Sequence, residues 1–181
     1  YHQRYSLNYN PEDEILVTVG VSEALDLALR AILEPKDKVI VVSPHYVAYP
    51  ALVEICGGKV LYLITRPEES FKININKLKE LLRLEPKAII LNNPANPTGV
   101  HYSREELKKL WQALCGKKTL IISDEVYEEL VYDQKHFSFS ANSLEAKNRT
   151  ILLNGFSKGQ AMTGFRIGYA CANQEIIEAM T

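Results

Sequence analysis

Residues 88–123 read AIILNNPANPTGVHYSREELKKLWQALCGKKTLIIS, and this stretch decides the fold class. Two short apolar runs, Ala88–Leu91 and Leu120–Ser123, have the composition of buried strands. Between them, Ser103–Leu114 has apolar residues at helical spacing and opens with the capping-box pattern Ser103-Arg-Glu-Glu106. A strand, a helix and a strand in this order predict α/β architecture with a largely parallel sheet.

The same alternation continues on both sides of this stretch, without a linker or a repeat. It predicts further strands at Val39–Val42, Val60–Leu63, Ile151–Asn154 and Arg166–Cys171. It predicts further helices from an N-cap at Ser22 to Leu33, near Tyr49–Cys56, at Ile75–Leu84 and in the closing segment from Gln174. We therefore expect a single domain over residues 1–181. Because the chain begins at Tyr1 and ends inside a helical pattern, we also expect a fragment of a longer protein.

Charge and composition narrow the class of ligand. Lys and Arg total 21 against 22 Asp and Glu, so a net charge of -1 gives no reason to expect nucleic acid or an anionic membrane as partner. A small-molecule ligand fits better. The longest apolar runs are too short to cross a bilayer, which predicts a soluble protein. The separate cysteines Cys56, Cys115 and Cys171 stand among apolar residues and predict reduced, buried thiols in the cytoplasm.

Ligands of an open α/β sheet bind at the carboxyl ends of the strands, where loops lead into helix N-termini. The segment Thr18-Val-Gly-Val-Ser22 begins a helix and has the groups to hold a phosphate, although glycine and serine also begin many helices for structural reasons. After the strand at Val39–Val42, Tyr46 and Tyr49 lie in a loop, where they either stack on a flat ligand or simply pack.

Polar side chains follow the predicted strands Ala88–Leu91 and Leu120–Ser123. Asn96 lies in a stiff loop of three Asn and two Pro, which as a turn needs no function. Asp124 and Glu125 end the following strand, and Tyr127 lies on the same face as Asp124 if the chain turns helical. A carboxylate at a buried strand end is costly unless it meets a cation, so Asp124 is a candidate ligand-binding residue.

The most informative stretch is Asn154-Gly-Phe-Ser-Lys-Gly-Gln-Ala-Met-Thr-Gly-Phe-Arg-Ile-Gly168, which contains Ser157, Lys158 and Arg166. Gly155-Phe-Ser-Lys-Gly159 also matches the nucleophile elbow of α/β-hydrolases, but no Asp or His follows Ser157 to complete the triad in that fold's order. No nucleotide-binding glycine pattern occurs, and the four histidines are scattered without metal-ligand spacing. We therefore expect neither a metal site nor a nucleotide.

Three motifs together resemble the large domain of the class I/II aminotransferases, the fold-type I pyridoxal-phosphate (PLP) enzymes. They are Asn96-Pro-Thr-Gly99, Ser123-Asp-Glu-Val-Tyr127, and Ser157-Lys158 followed by Gly164-Phe-Arg-Ile-Gly168. The resemblance runs from about Ile15 to the end of the chain. It implies a three-layer α/β/α fold with a mostly parallel sheet of about seven strands, and pyridoxal 5'-phosphate as the cofactor.

The resemblance also implies a role for each matching residue. Lys158 would form a Schiff base with PLP and then move the proton between the substrate α-carbon and the cofactor. Asp124 would pair with the pyridine nitrogen and keep it protonated, and Tyr127 and Asn96 would donate to the 3′ oxygen. Tyr46 resembles the aromatic residue that stacks on the ring. The phosphate would be bound by Val21, Ser22, Ser157 and Arg166.

The reaction implied by the resemblance is transfer of an amino group between an L-amino acid and a 2-oxo acid. A carbon–sulfur β-lyase of the same fold and a non-catalytic PLP-sensing domain of a transcription regulator remain alternatives. The family has an N-terminal segment and a C-terminal small domain that this chain lacks, and the small domain normally carries the arginine for the substrate carboxylate. We therefore expect the fragment itself to be poorly active and, by analogy, the intact protein to be a homodimer.

Overall fold

The computed structural model describes residues 1–132 and 134–181, which form a seven-stranded sheet with helices on both faces. The strands are β1 (Ile15–Thr18), β2 (Lys38–Ser43), β3 (Lys59–Ile64), β4 (Ala88–Asn92), β5 (Leu120–Asp124), β6 (Thr150–Gly155) and β7 (Gly168–Cys171). The helices are α1 (His2–Tyr5), α2 (Val21–Ile32), α3 (Ala48–Ile55), α4 (Ile75–Leu82), α5 (Arg104–Leu114), α6 (Leu144–Asn148) and α7 (Gln174–Met180). None of the helices in these ranges is both long and apolar enough to cross a membrane.

The strands lie in the order β1-β7-β6-β5-β4-β2-β3. The five strands from β6 to β3 in that order are parallel, whereas β7 runs antiparallel to both of its neighbours. Helix α5 joins β4 to β5, as the stretch over residues 88–123 predicts. The prediction of a mostly parallel sheet of about seven strands is confirmed.

Alternate residues of the central strands build two separate cores, one on each face of the sheet. In β2, Val39 and Val41 pack in the cluster formed with α2, α3 and α7. Ile40, between them, packs in the cluster formed with α4 and α5. Because successive side chains of a strand point to opposite faces, strands that are apolar at every position lie between two layers of helices. The fold is therefore a three-layer α/β/α sandwich.

The two predicted helix N-caps have different outcomes. Ser103 caps α5 as predicted: its hydroxyl accepts from the N–H of Glu106 at 3.3 Å, and the Glu106 carboxylate accepts from the N–H of Ser103 at 2.8 Å. The prediction that Ser22 caps α2 was wrong, because Gly20 is the N-cap and Ser22 lies in the first turn. Gly20 has φ 84, a left-handed conformation that glycine adopts without strain.

The two antiparallel strands differ most from the sequence prediction. The strand expected from Arg166 begins at Gly168, because Arg166 itself has φ 54 and ends a 3-10 turn over Thr163–Phe165. β1 was not predicted as a strand. It has four residues at the edge of the sheet, only one of them buried, and so lacks the continuous apolar pattern of the central strands.

The cysteines are all free, but they are not all buried. Cys171 is buried in β7, and burial raises the pKa of its thiol to about 12. Cys56 is half-buried. The prediction of a buried thiol was wrong for Cys115, which is exposed. Cys115 is the C-cap of α5 and follows Leu114, the last residue of that helix and part of its buried face.

Candidate functional site

A cavity of about 300 Å³ lies at the carboxyl ends of the parallel strands. Its walls come from the N-terminus of α2, the loop before α3 and the segments that follow β4, β5 and β6. All the residues singled out from the sequence line it: Val21, Ser22, Tyr46, Asn96, Asp124, Tyr127, Ser157, Lys158 and Arg166. The structure adds four lining residues that sequence reasoning did not name, Leu25, Asn92, Val126 and Thr163, and it adds Tyr49, for which the sequence left stacking and packing as alternatives.

Asp124 is the last residue of β5 and has 6% of its surface exposed. The Tyr49 hydroxyl donates to its Oδ2 at 2.7 Å, and the N–H of Val126 donates to its Oδ1 at 3.2 Å. Burial raises the pKa of Asp124, and the charge of Glu125 raises it further, whereas these two hydrogen bonds and the charge of Lys158 lower it. The carboxylate is thus held in a position where a cation in the cavity would stabilise it.

Tyr49 was expected in a loop, either stacking on a ligand or packing, and the sequence did not indicate its hydrogen bond to Asp124. It lies in α3 with 3% of its surface exposed, and burial followed by the charge of Asp124 raises its pKa well above the ordinary tyrosine value. Its hydroxyl therefore stays a donor to Asp124. The neighbouring Tyr46 is 39% exposed at the cavity, and its ring meets that of Tyr49 edge-on, with the centroids 5.6 Å apart.

Tyr127 and Asn96 meet across the cavity wall. The Asn96 amide donates to the Tyr127 hydroxyl at 3.4 Å, and the Asn92 carboxamide accepts from the N–H of Asn96 at 2.6 Å. Tyr127 lies in a tight turn in which the N–H of Glu128 donates to the carbonyl of Glu125. The chain therefore does not continue as a helix with Asp124 and Tyr127 on one face. Burial, then the charge of Asp124, raises the pKa of Tyr127, and the Asn96 bond lowers it.

Lys158 brings an exposed amine to the cavity. It lies in the turn after β6, and its Nζ is 5.8 Å from the centroid of the Tyr127 ring. This turn packs directly on the turn that carries Tyr127. A Cβ atom at Gly159 would lie 2.7 Å from the Glu129 side chain, so only glycine allows the two turns this close together. The close approach of the two turns places the Lys158 amine beside Tyr127. The positive charge of this amine lowers the pKa of Asp124.

Arg166 lies against the start of α2. Its Nη1 donates to the carbonyl of Thr163 at 3.1 Å, and its Nη2 donates to the carbonyl of Val19 at 3.4 Å. A Cβ atom at Gly20 would be 2.5 Å from Nη2, so the glycine makes room for the guanidinium. The first N–H groups of a helix have no partner within it, and arginine keeps further donors beside them. Together they form a site suited to an anion.

Two of the histidines that are scattered in the sequence meet in space. The rings of His101 and His136 lie 5.7 Å apart, and His136 Nε2 is 3.1 Å from Glu125 Oε2. Glu125, Glu128 and His136 form a group of potential metal ligands, with ligand atoms within 4.8 Å of one another. Protein donors already bind both carboxylates. The Tyr5 hydroxyl donates to Glu128 at 2.9 Å, and the Ser138 hydroxyl donates to Glu125 at 3.0 Å. The sequence spacing did not indicate this cluster because His136 lies eight positions beyond Glu128 and meets the two glutamates only in the folded chain.

A family model described as aminotransferase class I and II matches residues 1–181, the whole of the chain. The chain belongs to the class I and II aminotransferases. The family resemblance predicted from the motifs at Asn96, Asp124 and Lys158 is therefore confirmed.

Individual aminotransferases are similar to the chain in sequence and in structure. An aspartate aminotransferase of Bacillus sp. (strain YM-2) is 43% identical over 176 residues, which are 97% of this chain and 45% of that protein. A structure of the Thermus thermophilus aspartate aminotransferase with maleate has a TM-score of 0.93 at 41% identity, covering 99% of this chain and 46% of that one. The aromatic aminotransferase from Pyrococcus horikoshii OT3 has a TM-score of 0.94 at 35% identity, with 99% and 48% covered. The chain spans less than half the length of these relatives.

Proposed function

We propose that the whole protein containing this chain is a PLP-dependent aminotransferase that moves an amino group between an L-amino acid and a 2-oxo acid. The observation that carries the proposal is the meeting of an amine, a carboxylate and a guanidinium, from Lys158, Asp124 and Arg166, around one cavity. Family membership adds the reaction class, because the relatives named above are aminotransferases.

The donor set fits PLP part by part. The N-terminus of α2 and Arg166 provide N–H groups and a positive charge for the phosphate. Asp124 provides a buried carboxylate for the ring nitrogen, and the exposed face of Tyr46 provides an aromatic surface for the ring. Lys158 provides the amine for a covalent bond. When bound, PLP supplies an electron sink that makes loss of the substrate α-proton feasible.

The protein's own residues would then perform three tasks. The Nζ of Lys158 would act as the base that takes the proton from the substrate α-carbon. Asp124 holds a proton on the ring nitrogen, and Tyr49 keeps Asp124 ionised by donating to Oδ2. Tyr127 and Asn96, which pair at 3.4 Å, would donate an O–H and an N–H to the 3′ oxygen.

The named relatives indicate which amino donors to test first. Since the relatives include aspartate and aromatic aminotransferases, aspartate and an aromatic amino acid are the first amino donors to test. The experiment is a screen of single amino acids against the PLP-loaded whole protein. The proposal predicts formation of the matching 2-oxo acid in an amount equal to the enzyme, and turnover once a second oxo acid is added. Pyruvate release from cystathionine without any oxo acid would identify a β-lyase instead.

A homodimer is part of the proposal. Exposed apolar side chains occur on the segment before α3 and on the edge strand β3: Val47 is 78% exposed and Ile64 58%, and the rings of His45 and Tyr62, from the same two segments, stack with their centroids 5.8 Å apart. Such a patch is typical of a protein interface. Sedimentation of the whole protein should give a dimer, and Val47→Glu with Ile64→Glu should give a monomer; a monomeric wild type would contradict this part. A cytoplasmic location is also proposed, since the three cysteines are free.

A further inference from the structure

Glu125 lies between two residues of the proposed cofactor site but does not line the cavity. Asp124 and Tyr127, on either side of it, both do. Successive side chains at the end of a strand point to opposite faces, so Glu125 points away from the cavity that Asp124 faces. Its side chain is 1% exposed. A buried carboxylate at this position needs partners of its own.

The Glu125 carboxylate is surrounded by four hydrogen-bonding groups. Its Oε1 accepts from the Ser123 hydroxyl at 2.8 Å, the Ser138 hydroxyl at 3.0 Å and the N–H of Phe139 at 3.1 Å. Its Oε2 lies 3.1 Å from Nε2 of His136, whose side chain is 3% exposed. Three of these four groups belong to residues 11 to 14 positions later in the chain. Glu125 therefore fastens the segment His136–Phe139 to the end of β5.

Residues between the turn of Tyr127 and this segment line a second cavity. Leu130 and Val131 line this cavity of about 450 Å³, which also has Asn96 and Tyr127 in its wall. His101, in the same wall, lies beside His136. The hydrogen bonds of Glu125 thus hold the chain between Asp124, at the end of β5, and the turn of Tyr127, on the side away from the cofactor cavity.

We propose that Glu125 is a positioning residue, which holds the Asp124 carboxylate and the Tyr127 hydroxyl in the orientation that binds the cofactor. The inference rests on the proposed function, because that function identifies what the two residues bind. Glu125 itself does not line the cavity and so would touch neither cofactor nor substrate.

The role is one of geometry and not of charge. The negative charge of Glu125 raises the pKa of Asp124, which opposes the ionised state that the ring nitrogen needs. A glutamine would keep one oxygen for Ser123, Ser138 and Phe139 and would place its amide against His136. The other ring nitrogen of His136, Nδ1, is buried without a partner among the described residues, so the imidazole can exchange tautomers and accept from the amide at no loss of a bond.

This difference defines the experiment, which compares Glu125→Gln and Glu125→Leu in the whole protein. Leucine has a similar size but no acceptor, so it releases the segment His136–Phe139. The readouts are the PLP dissociation constant of the cofactor-free protein and the visible circular dichroism of bound PLP, which reports its orientation. Far-UV circular dichroism checks the fold. Glu128→Gln is the matched control, since Glu128 is a neighbouring glutamate bound to Tyr5 and not to the fastened segment.

We expect Glu125→Gln and Glu128→Gln to bind PLP within about threefold of the wild type or more tightly, with an unchanged dichroism band. We expect Glu125→Leu to bind at least tenfold more weakly, with an altered band. If the leucine variant does not fold, Ser138→Ala removes one of the long-range donors and should weaken binding severalfold in a folded protein.

A folded Glu125→Leu or Ser138→Ala variant with wild-type binding and dichroism would overturn the inference and leave the proposed function intact. A Glu125→Gln variant as weak as the leucine variant would also overturn it, because charge and not position would then be the cause. A wild type that binds no PLP would instead refute the proposed function, and the inference with it.

Discussion

Replacing Asp124 with asparagine should change stability and cofactor affinity in opposite directions. In the cofactor-free protein the Asp124 carboxylate is 6% exposed, and burial raises its pKa above the ordinary value of 3.8. A group with a raised folded-state pKa binds its proton more tightly in the folded protein, so stability falls as pH rises through the window between the two pKa values. The neutral amide of the Asp124→Asn variant has no charge to bury. The cofactor-free variant should therefore be more stable than the wild type at neutral pH.

The two effects differ in size. The gain in stability should be on the order of 1 kcal/mol, because the carboxylate already has hydrogen bonds from Tyr49 and Val126 that offset part of the cost of burial. The loss in affinity should be larger. An ion pair at about 4 Å with an effective dielectric constant near 20 is worth about 4 kcal/mol, roughly a thousandfold in binding, and desolvation reduces that ceiling. We expect PLP to bind Asp124→Asn between about tenfold and a thousandfold more weakly.

Thermal unfolding of the cofactor-free whole protein at several pH values measures the first effect, and absorbance titration with PLP measures the second. The stabilisation should disappear below pH 3.8, where Asp124 is protonated in both states. Asp26→Asn is the matched control, since Asp26 pairs with Arg30 on the exposed face of α2 and should change neither quantity by much. A variant that is less stable without cofactor yet binds PLP like the wild type would refute the reasoning.

Two further substitutions test individual contacts. Tyr49→Phe removes only the hydroxyl that donates to Asp124 and so raises the pKa of that carboxyl; titrations at decreasing pH should show PLP binding lost at a higher pH than in the wild type, and an unchanged acid limb would count against the contact. Gly20→Ala places a Cβ against the Arg166 guanidinium at φ 84 and should cost roughly 1–2 kcal/mol of stability and severalfold in PLP affinity. Gly116→Ala has a similar strain at φ 72 with no described atom within 4 Å, so thermal unfolding should show the same cost while the affinity stays unchanged; equal losses of affinity would contradict a role for Arg166.

The sequence was sufficient for the central sheet because periodicity and burial agree there. β4, α5 and β5 match their predicted bounds within a residue or two, and the Ser103 cap is a local pattern of four residues. The antiparallel edge was not predictable in the same way. Where β7 begins depends on the left-handed backbone of Arg166, and that conformation accompanies packing against Gly20, 146 positions away in sequence.

The site residues that occur in sequence motifs were predictable. Residues that only the folding of the chain brings to the site were not. The motif residues from Asn96 to Arg166 line one cavity. The hydrogen bond from Tyr49 to Asp124 joins residues 75 positions apart, and nothing in the sequence around Tyr49 distinguishes it from a packing residue. Glu125 stands next to Asp124 in a motif, yet its partners His136 and Ser138 lie 11 and 13 positions later in the chain.

The central claim is that PLP binds covalently to Lys158. The measurement that tests it most directly is borohydride reduction of the PLP-treated whole protein, followed by proteolysis and mass spectrometry of the peptides. We expect one modified peptide, with the added mass on Lys158, and loss of that modification together with the visible absorption band in Lys158→Ala but not in Lys117→Ala. A Lys158→Ala variant that keeps the band, or a stable modification on another lysine in the wild type, would contradict it.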